Sequence, residues 1–296
     1  MRVLLAIDSS GTSQNVIYQA LSRPWQPGSK FYVLNVVDQS HREKTAPPQD
    51  DANDAAHVMV KSAREQLVRG GLAADSGVQS GVPKNAISDF AKTWEADLVM
   101  IGANGQGGWR QALLGSIAQA VLRTAPCSVE IVRPTSAARA AASPALKILL
   151  ATDGSEFAVK AEHSVAGRPW PAGSQVRIVS AVHLFTPGAQ VVSPTFYAAY
   201  PDMLVDEVWN QARTRAEEAV AEARGILASG GLSIDAGNAT PTGEPRDVLL
   251  NVAAAWEANL IVLGSHGGHG FDHLLMGSVS EWVALHAQCS VEVIRG

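Results

Sequence analysis

Short apolar runs, of which the first, second and fourth are nearly continuous, alternate along the chain with segments of helical periodicity. In the first half the runs cover residues 3–7, 31–37, 77–79 (the weakest), 98–101 and 128–132. Strands that are apolar on both faces are typical of parallel sheets covered by helices on each side. Alternation of strands with helices therefore predicts a doubly wound parallel α/β sheet with right-handed crossovers.

The pattern occurs twice. RVLLAID at residues 2–8 returns as KILLATD at 147–153, Arg-Pro-Trp at 23–25 returns at 168–170, and WEAD at 94–97 returns as WEAN at 256–259. A length of 296 residues also agrees with about two domains of roughly 150 residues each. We predict a first domain at residues 1–133, a small-residue, proline-bounded linker at 134–146, and a second domain at 147–296.

A glycine motif follows the fourth run of each half. The two copies share the spacing Gly-x2-Gly-x9-Gly-Ser and are formed by Gly102, Gly105, Gly115 and Ser116, and by Gly264, Gly267, Gly277 and Ser278. Glycine has no Cβ, so its backbone N–H groups can approach phosphate oxygens, and the following helix N-terminus favours anions. A serine at or near the N-cap can bond a backbone N–H or a phosphate. The motif predicts a phosphate-binding loop in each half.

Together with Asp8 and Asp153 at the ends of the first strands, these loops resemble those of tandem universal stress proteins of the ATP-binding branch. The resemblance implies two Rossmann-like domains, each with a bound adenine nucleotide. The nucleotide is ATP, ADP or AMP, with or without Mg²⁺. It also implies the roles of further residues. Asp8 and Asp153 contact adenine, Val36 and Ala181 wall the base pocket, and the backbone N–H groups of Ile117 and Val279 complete the phosphate loops.

Simpler interpretations of the same residues stay open. The aspartates can turn the chain and cap the first helix, the glycines can serve turns alone, and Ser116 and Ser278 can be pure helix caps. His266, His269 and His273 raise a zinc hypothesis, and His-Gly-Gly-His at 266–269 matches a nucleotidylyl-transferase signature. That signature belongs after a first strand and here follows the fourth, so we interpret the match as a coincidence. The first loop has no matching histidines, so we assign no metal site.

Catalytic groups are scarce in both loops. Arg110 is the only Lys or Arg in the first loop, the second has none, and Gln106 and Gly268 stand where many members of the family carry a basic residue. Phosphoryl transfer needs cationic charge at the γ-phosphate. We therefore predict a nucleotide-binding regulatory protein with no catalytic residue assigned. The alternatives are a slow ATPase, or another adenine-nucleotide hydrolase, and an interaction module with vestigial pockets.

Assembly is expected to use the last strand of each half, residues 129–133 and 291–295. The resemblance implies that this strand mediates dimerisation, and an unpaired apolar edge invites pairing. We expect an intramolecular pseudo-dimer with pseudo-twofold symmetry. Homodimerisation and an unknown protein partner are left open.

Charge and hydropathy limit the other partners. Residues 1–133 carry 13 Lys and Arg against 12 Asp and Glu, residues 147–296 carry 9 against 16, and with Arg139 in the linker the net charge is −5. Neither half offers a basic face for nucleic acid, and no apolar run approaches the roughly 20 residues of a membrane span. We expect a cytoplasmic protein that binds neither nucleic acid nor membrane. Cys127 and Cys289 occupy equivalent places, which favours packing over a disulfide.

The second half has a longer connection after its second strand. It contains or precedes Phe185, Phe196, Tyr197, Tyr200 and Trp209, which make it too aromatic for a disordered loop. It is expected either to form a lid over the second site or the lobe interface, or to pack on the outside of the domain. A helix with a stripe from Trp209 to Ile226 should follow it and end at Gly230-Gly231.

Overall fold

The computed structural model describes residues 1–38, 49–104, 114–134, 145–183, 202–237, 239–267 and 276–295. Within these ranges the first lobe forms five strands, which are β1 (Arg2–Ala6), β2 (Lys30–Asp38), β3 (Ala73–Gly81), β4 (Leu98–Gly102) and β5 (Ser128–Val132). The second lobe repeats them as β6 (Lys147–Ala151), β7 (Gln175–Val179), β8 (Ser233–Ile234), β9 (Leu260–Gly264) and β10 (Ser290–Ile294). The weak third run of the first half is thus a strand of nine residues.

Helices connect the strands in the predicted alternation. Those of the first lobe are α1 (Thr12–Leu21), α2 (Gln49–Arg69), α3 (Pro83–Thr93) and α4 (Ser116–Thr124). Those of the second lobe are α5 (Glu156–Ala166), α6 (Asp202–Leu227), α7 (Pro245–Ala255) and α8 (Ser278–His286). The end predicted for α6 is confirmed, since a 3-10 turn at Ala228–Gly230 follows it and Gly231 adopts a left-handed φ of 68°. None of these described helices has the length and apolar character needed to cross a bilayer.

All ten strands form one sheet in the order β3-β2-β1-β4-β5-β10-β9-β6-β7-β8. Neighbours inside each lobe are parallel, and the order reads the same from both ends. The lobes meet where β5 pairs antiparallel with β10, with Glu130 opposite Glu292. The expected pairing of the two last strands, and the doubly wound parallel fold in tandem with pseudo-twofold symmetry, are confirmed.

The core is shared on one face of the sheet and divided on the other. On the side of α3, α4, α7 and α8, buried residues of both lobes form a single cluster that includes Val129 and Val291. On the opposite side each lobe has its own cluster, built under α1 and α2 or under α5 and α6. Cys289 lies in the shared cluster, Cys127 packs against it, and no disulfide joins them.

Reciprocal contacts close the junction between the lobes. The Arg133 guanidinium donates to the carbonyls of Ala284 and Leu285 at the end of α8 (2.9 and 3.0 Å). The Arg295 guanidinium donates in the same way to Leu122 O at the end of α4 (2.6 Å). Each arginine thus satisfies carbonyls at the helix end of the other lobe, where a cation is favoured.

Candidate functional site

The candidate residues of each lobe come together at the carboxyl edge of its parallel strands. β1, β2 and β4 are mutually parallel, so Asp8, Val36 and Gly102 end up at one edge of the sheet. Asp153 and Gly264 occupy the equivalent edge of the second lobe. Because β5 and β10 are antiparallel, the two edges lie on opposite sides of the continuous sheet. The sites are therefore separate, one to each lobe.

Asp8 holds the turn between β1 and α1. Its Oδ1 accepts from the Ser10 N–H (3.0 Å), the Ser10 hydroxyl and the Ser13 hydroxyl (2.9 Å). The Ser13 hydroxyl oxygen in turn accepts from the Asp8 N–H (2.8 Å). The N-cap position of α1 is taken by Gly11, with no side-chain cap. Asp8 therefore forms the turn, and the same hydrogen bonds fix the position of its carboxylate.

The two residues predicted to wall the base pocket lie at the carboxyl ends of the second strands. Val36 is within β2 and pairs in register with Gln79 of β3. Ala181 lies two residues after the end of β7, and the next residue, Val182, forms a bridge to Thr242. Both Val36 and Ala181 are partly buried against the shared core. They present small apolar side chains at the carboxyl edge in both lobes.

The first glycine of each motif permits a close approach between strand and helix. A Cβ on Gly102 would lie 2.8 Å from Thr12 Oγ1, and a Cβ on Gly264 would lie 2.6 Å from the backbone carbon of Phe157. Any side chain there would push the first helix of the lobe away from the sheet. These glycines are explained by packing at the site edge. The sequence motif alone does not reveal this.

The third glycine of each motif is the N-cap residue of the following helix. The Gly115 N–H donates to Ala103 O (2.7 Å), and the Gly277 N–H donates to Ser265 O (2.8 Å). Both have an extended backbone, with φ of −64°. Ser116 and Ser278 are then the first helical residues and are exposed, one position beyond the cap.

These helix starts present backbone N–H groups to the edge of the sheet. The first helical bond of α4 runs from the Gln119 N–H to Gly115 O (2.9 Å). The N–H groups of Ser116, Ile117 and Ala118 come before it, and the N–H groups at a helix start carry partial positive charge. In α8 the bond from Glu281 to Gly277 (3.0 Å) places Ser278 and Val279 in the same way.

The second lobe differs in detail. Asp153 is exposed and its Oδ1 accepts from the Ser155 N–H (3.0 Å). A Cβ on Gly267 would lie 2.6 Å from Asp153 Oδ2, so this glycine lets the loop lie directly against the carboxylate. The buried His266 ring packs against the Phe157 ring, with 5.0 Å between centroids.

Some predicted features fall beyond the described ranges. They are Gly105 of the first motif, His269 and His273 of the zinc hypothesis, and the aromatic connection from Phe185 to Tyr200. In the part of the chain that the structure describes, no group of three or more His, Cys, Asp or Glu side chains is arranged to hold a metal ion.

Sequence reasoning missed the hydroxyl groups around Asp8. Ser10, Thr12 and Ser13 all take part in hydrogen bonds at the first site, and Thr12 reaches the carbonyl of Asn104, 92 positions away in the chain. The run Ser-Ser-Gly-Thr-Ser after Asp8 is a visible signal of local hydroxyl bonding. The long-range contact to Asn104 has no sequence signal.

Comparison with known proteins decides the family. The model of the universal stress protein family matches residues 1–133 and 145–295, which is nearly the whole chain in two copies. The chain belongs to this family. It is a tandem universal stress protein, and each lobe corresponds to one copy of the family domain.

Single-domain relatives support the assignment. Universal stress protein Sll1388 of Synechocystis is 26% identical over 149 residues, which are 45% of this chain and 97% of the relative. Universal stress protein YxiE of Bacillus subtilis is 29% identical over 150 residues, 50% of this chain and 98% of its own. Each relative therefore spans about half of this universal stress protein.

A solved structure shares the fold of both lobes. The crystal structure of a universal stress protein from Archaeoglobus fulgidus aligns over 99% of this chain and 98% of that one, with a TM-score of 0.65 at 19% identity. At that identity the likeness concerns the fold. The tandem arrangement of two universal stress protein domains thus has a solved counterpart.

Proposed function

We propose that this universal stress protein binds one adenine nucleotide in each lobe and acts as a nucleotide-dependent regulatory protein in the stress response. The observation that carries the proposal is the matched helix start in both lobes. Gly115 and Gly277 cap α4 and α8 beside the strand-end glycines, and each is tied to the loop that leaves the fourth strand.

The second lobe shows why glycine suits this position. A Cβ on Gly277 would lie 3.1 Å from Ser265 O and 3.3 Å from His266 Cα, so a side chain would fill the cradle beside the helix start. Backbone N–H groups at such a start bind phosphate oxygens. Ser278 and Val279 would supply these groups in the second lobe, and Ser116 and Ile117 in the first.

The base would lie at the other end of each site. Asp8 and Asp153 are carboxylates, which only accept hydrogen bonds when ionised, so they suit the amino group of adenine. Val36 and Ala181 offer the apolar wall. The ligand would be ATP, ADP or AMP, and Mg²⁺ would enter with the phosphates.

Binding is favoured over hydrolysis by the charge of the loops. Residues 102–116 contain Arg110 as their one basic residue, and residues 264–278 contain three histidines but no Lys or Arg. Transfer of a γ-phosphoryl group needs several cationic groups and a positioned nucleophile. Nucleotide retention, rather than turnover, is the activity these loops support.

The proposal predicts two independent sites. Substituting Gly115→Val or Gly277→Val places a branched side chain in one cradle, and each variant should retain one site. Calorimetry with ATP should give two sites per wild-type chain, with affinities of order micromolar, about −8 kcal/mol. Mass spectrometry of small molecules released from denatured protein would identify the nucleotide retained.

A matched control is Gly225→Val in α6, where an added Cβ meets no atom within 4 Å. This variant should keep both sites. Unchanged stoichiometry in both loop variants would defeat the assignment, and absence of any adenine nucleotide binding would leave the interaction module as the function. Steady phosphate release that disappears in the loop variants would instead establish an ATPase.

A further inference from the structure

A chain of side-chain hydroxyls links the two ends of the first site. The Ser10 hydroxyl contacts Asp8 Oδ1, its oxygen lies 2.8 Å from Thr12 Oγ1, and the Thr12 hydroxyl contacts the carbonyl oxygen of Asn104. Asp8 stands at the end of the site proposed for the base. Asn104 is followed by the second glycine of the phosphate motif.

The far end of this chain also fixes the helix that faces the phosphates. The Ala103 N–H donates to Val132 O (3.0 Å), and Ala103 O accepts from the N–H of Gly115, the N-cap of α4 (2.7 Å). One short segment, Ala103-Asn104, therefore receives both the hydroxyl chain and the start of α4. Gly102 makes room for this, since a Cβ there would collide with Thr12.

This series of hydroxyls has fewer hydroxyl protons than hydrogen-bond contacts. Ser10 and Thr12 have one hydroxyl proton each, while three contacts connect the acceptors Asp8 and Asn104 O. When the Ser10 proton is directed to Asp8, none is left for the contact between the two hydroxyls unless Thr12 turns away from Asn104. Asp8 Oδ1 already accepts from the Ser10 N–H and from the Ser10 and Ser13 hydroxyls, so a further donor at this oxygen would displace the Ser10 proton toward Thr12. The Thr12 proton would then stay on Asn104 O, in a continuous chain of the kind that strengthens cooperatively.

The second lobe is built differently at the same positions. Phe157 replaces Thr12 and has no hydroxyl, and the Ser155 hydroxyl oxygen accepts from the Ala158 N–H as the N-cap of α5 (3.3 Å). The Ser155 hydroxyl reaches His266 O at 3.4 Å, near the limit for a hydrogen bond. Contact between the rings of Phe157 and His266 holds the loop there instead.

We infer that Ser10 and Thr12 are positioning residues that couple base recognition at Asp8 to the order of the phosphate-facing helix start, in the first lobe alone. The inference rests on the proposed function, because the outside donor is the amino group of adenine. When adenine occupies the base end, the hydrogen bond from Thr12 to the Asn104 carbonyl becomes stronger. Through Ala103, this also stabilises the N-cap of α4. Base and phosphates then bind to this lobe better together than separately.

Thr12→Val removes the proton donor and keeps the side-chain shape. The experiment uses the full chain carrying Gly277→Val, so that only the first lobe binds. Thr12→Val should weaken ATP binding by about tenfold, the range of one hydrogen bond, and adenosine binding by a smaller factor. Thr93→Val is the matched control, since Thr93 Oγ1 donates to the carbonyl of Asp89 on the exposed side of α3 (2.9 Å). It should leave both affinities unchanged.

Hydrogen exchange of backbone amides tests the coupling itself. Adenosine carries no phosphate, yet in the Gly277→Val parent it should slow exchange of the Gly115 amide, which donates to Ala103 O at the start of α4. Purine riboside, which lacks the amino donor, should not. Thr12→Val and Ser10→Ala should each abolish the protection by adenosine.

The outcomes separate the two claims. If the parent binds no ATP, the proposed function fails for this lobe. If the parent binds ATP but adenosine gives no protection at the Gly115 amide, the coupling is wrong. Protection that persists in Thr12→Val, or that purine riboside reproduces, also overturns it. So does an equal loss of ATP and adenosine affinity in Thr12→Val, since that indicates a purely structural role for Thr12.

Discussion

The two lobes match where they meet and differ where they face away from each other. At the junction the contacts are reciprocal: the Arg133 N–H donates to Ser290 Oγ (3.1 Å), and the Arg295 N–H donates to Ser128 Oγ (3.2 Å). At the outer edges, β3 pairs with β2 over nine positions, whereas β8 contributes two residues. A substitution at the junction affects both lobes, while each outer edge contacts its own lobe. The outer edges are therefore less constrained to stay alike.

Buried charge makes the junction the most sensitive region. Glu130 and Glu292 face each other across β5 and β10 with fully buried side chains, and each is paired with the arginine that follows the first helix of its own lobe. Arg23 pairs with Glu130, and Arg168 with Glu292 at 2.7 Å. The cost of burying two facing carboxyl groups is thus offset by the two arginines that are buried with them.

The largest expected effect comes from removing one of these arginines. Arg23→Ala would leave the Glu130 carboxylate buried opposite Glu292, and we expect it to lower the free energy of unfolding by about 3–5 kcal/mol. Arg168→Ala should cost a comparable amount, because the junction is matched. Urea denaturation at neutral pH measures both.

Arg2→Ala provides the control for that comparison. Its partner Glu95 lies 2.6 Å away in a surface pair whose side chains are 42% and 81% exposed. Such a pair contributes below about 1 kcal/mol. Equal losses in Arg23→Ala and Arg2→Ala would mean that the junction is not stabilised by its buried pairs.

The pH dependence of stability also tests the buried charged groups of the junction. Burial raises the pKa of the Glu130 carboxyl, Arg23 opposes this, and the facing Glu292 adds to it. The folded chain therefore holds this proton more tightly than the unfolded chain. The contribution of Glu130 to the free energy of unfolding is complete below the usual glutamate pKa. It is lost as the pH rises through the higher pKa that Glu130 has in the folded chain.

Glu130→Gln should remove that part of the pH dependence. The difference in unfolding free energy between wild type and variant should change with pH by at most about 1.4 kcal/mol per unit, the slope of one proton. Denaturation curves collected from acid to neutral pH give this slope. Parallel profiles for the two proteins would show that Glu130 does not titrate as expected.

The inner part of the fold was predictable from sequence. The run at 98–101 is apolar because helices cover both faces of this strand, and Ser116 begins α4, as expected for a serine at or near the N-cap. The edge strand β3 was underestimated. It consists mainly of small and polar residues, which have low strand propensity, and a side chain at Gly77 would collide with the Tyr32 hydroxyl.

The site was predictable only where a residue acts through its backbone or its immediate neighbours. Gly115 and Gly277 fall at the expected helix starts, and Asp8 turns the chain as its local sequence indicates. The contact from Thr12 to Asn104 depends on how closely α1 approaches β4. Packing in three dimensions sets this distance, so a lone sequence does not contain it.

The smallest expected effect separates the two outer edges. In the second lobe Asp235 Oδ1 accepts from Arg177 Nε (2.6 Å) and from the Gly237 N–H (2.9 Å), while Arg177 stacks on the Trp256 ring at 4.5 Å. This cluster secures an edge whose strand is only two residues long. In the first lobe Asp75 stands opposite Tyr32 in the long β3, and the Tyr32 ring packs against other aromatic rings.

Asp235→Asn should therefore cost about 1 kcal/mol at neutral pH, the range of a partly exposed pair, and Asp75→Asn less than about 0.5 kcal/mol. Burial alone would raise the pKa of Asp235, but the Gly237 N–H and Arg177 outweigh it and lower that pKa. The contribution of Asp235 is thus present above the usual aspartate pKa and is lost as the pH falls through the lower folded value. The difference between wild type and Asp235→Asn should shrink in acid, which denaturation at neutral and acidic pH would show. Equal costs for the two asparagine variants would mean that both edges are held by the same kind of contact, and the contrast between the lobes would then not extend to their stability.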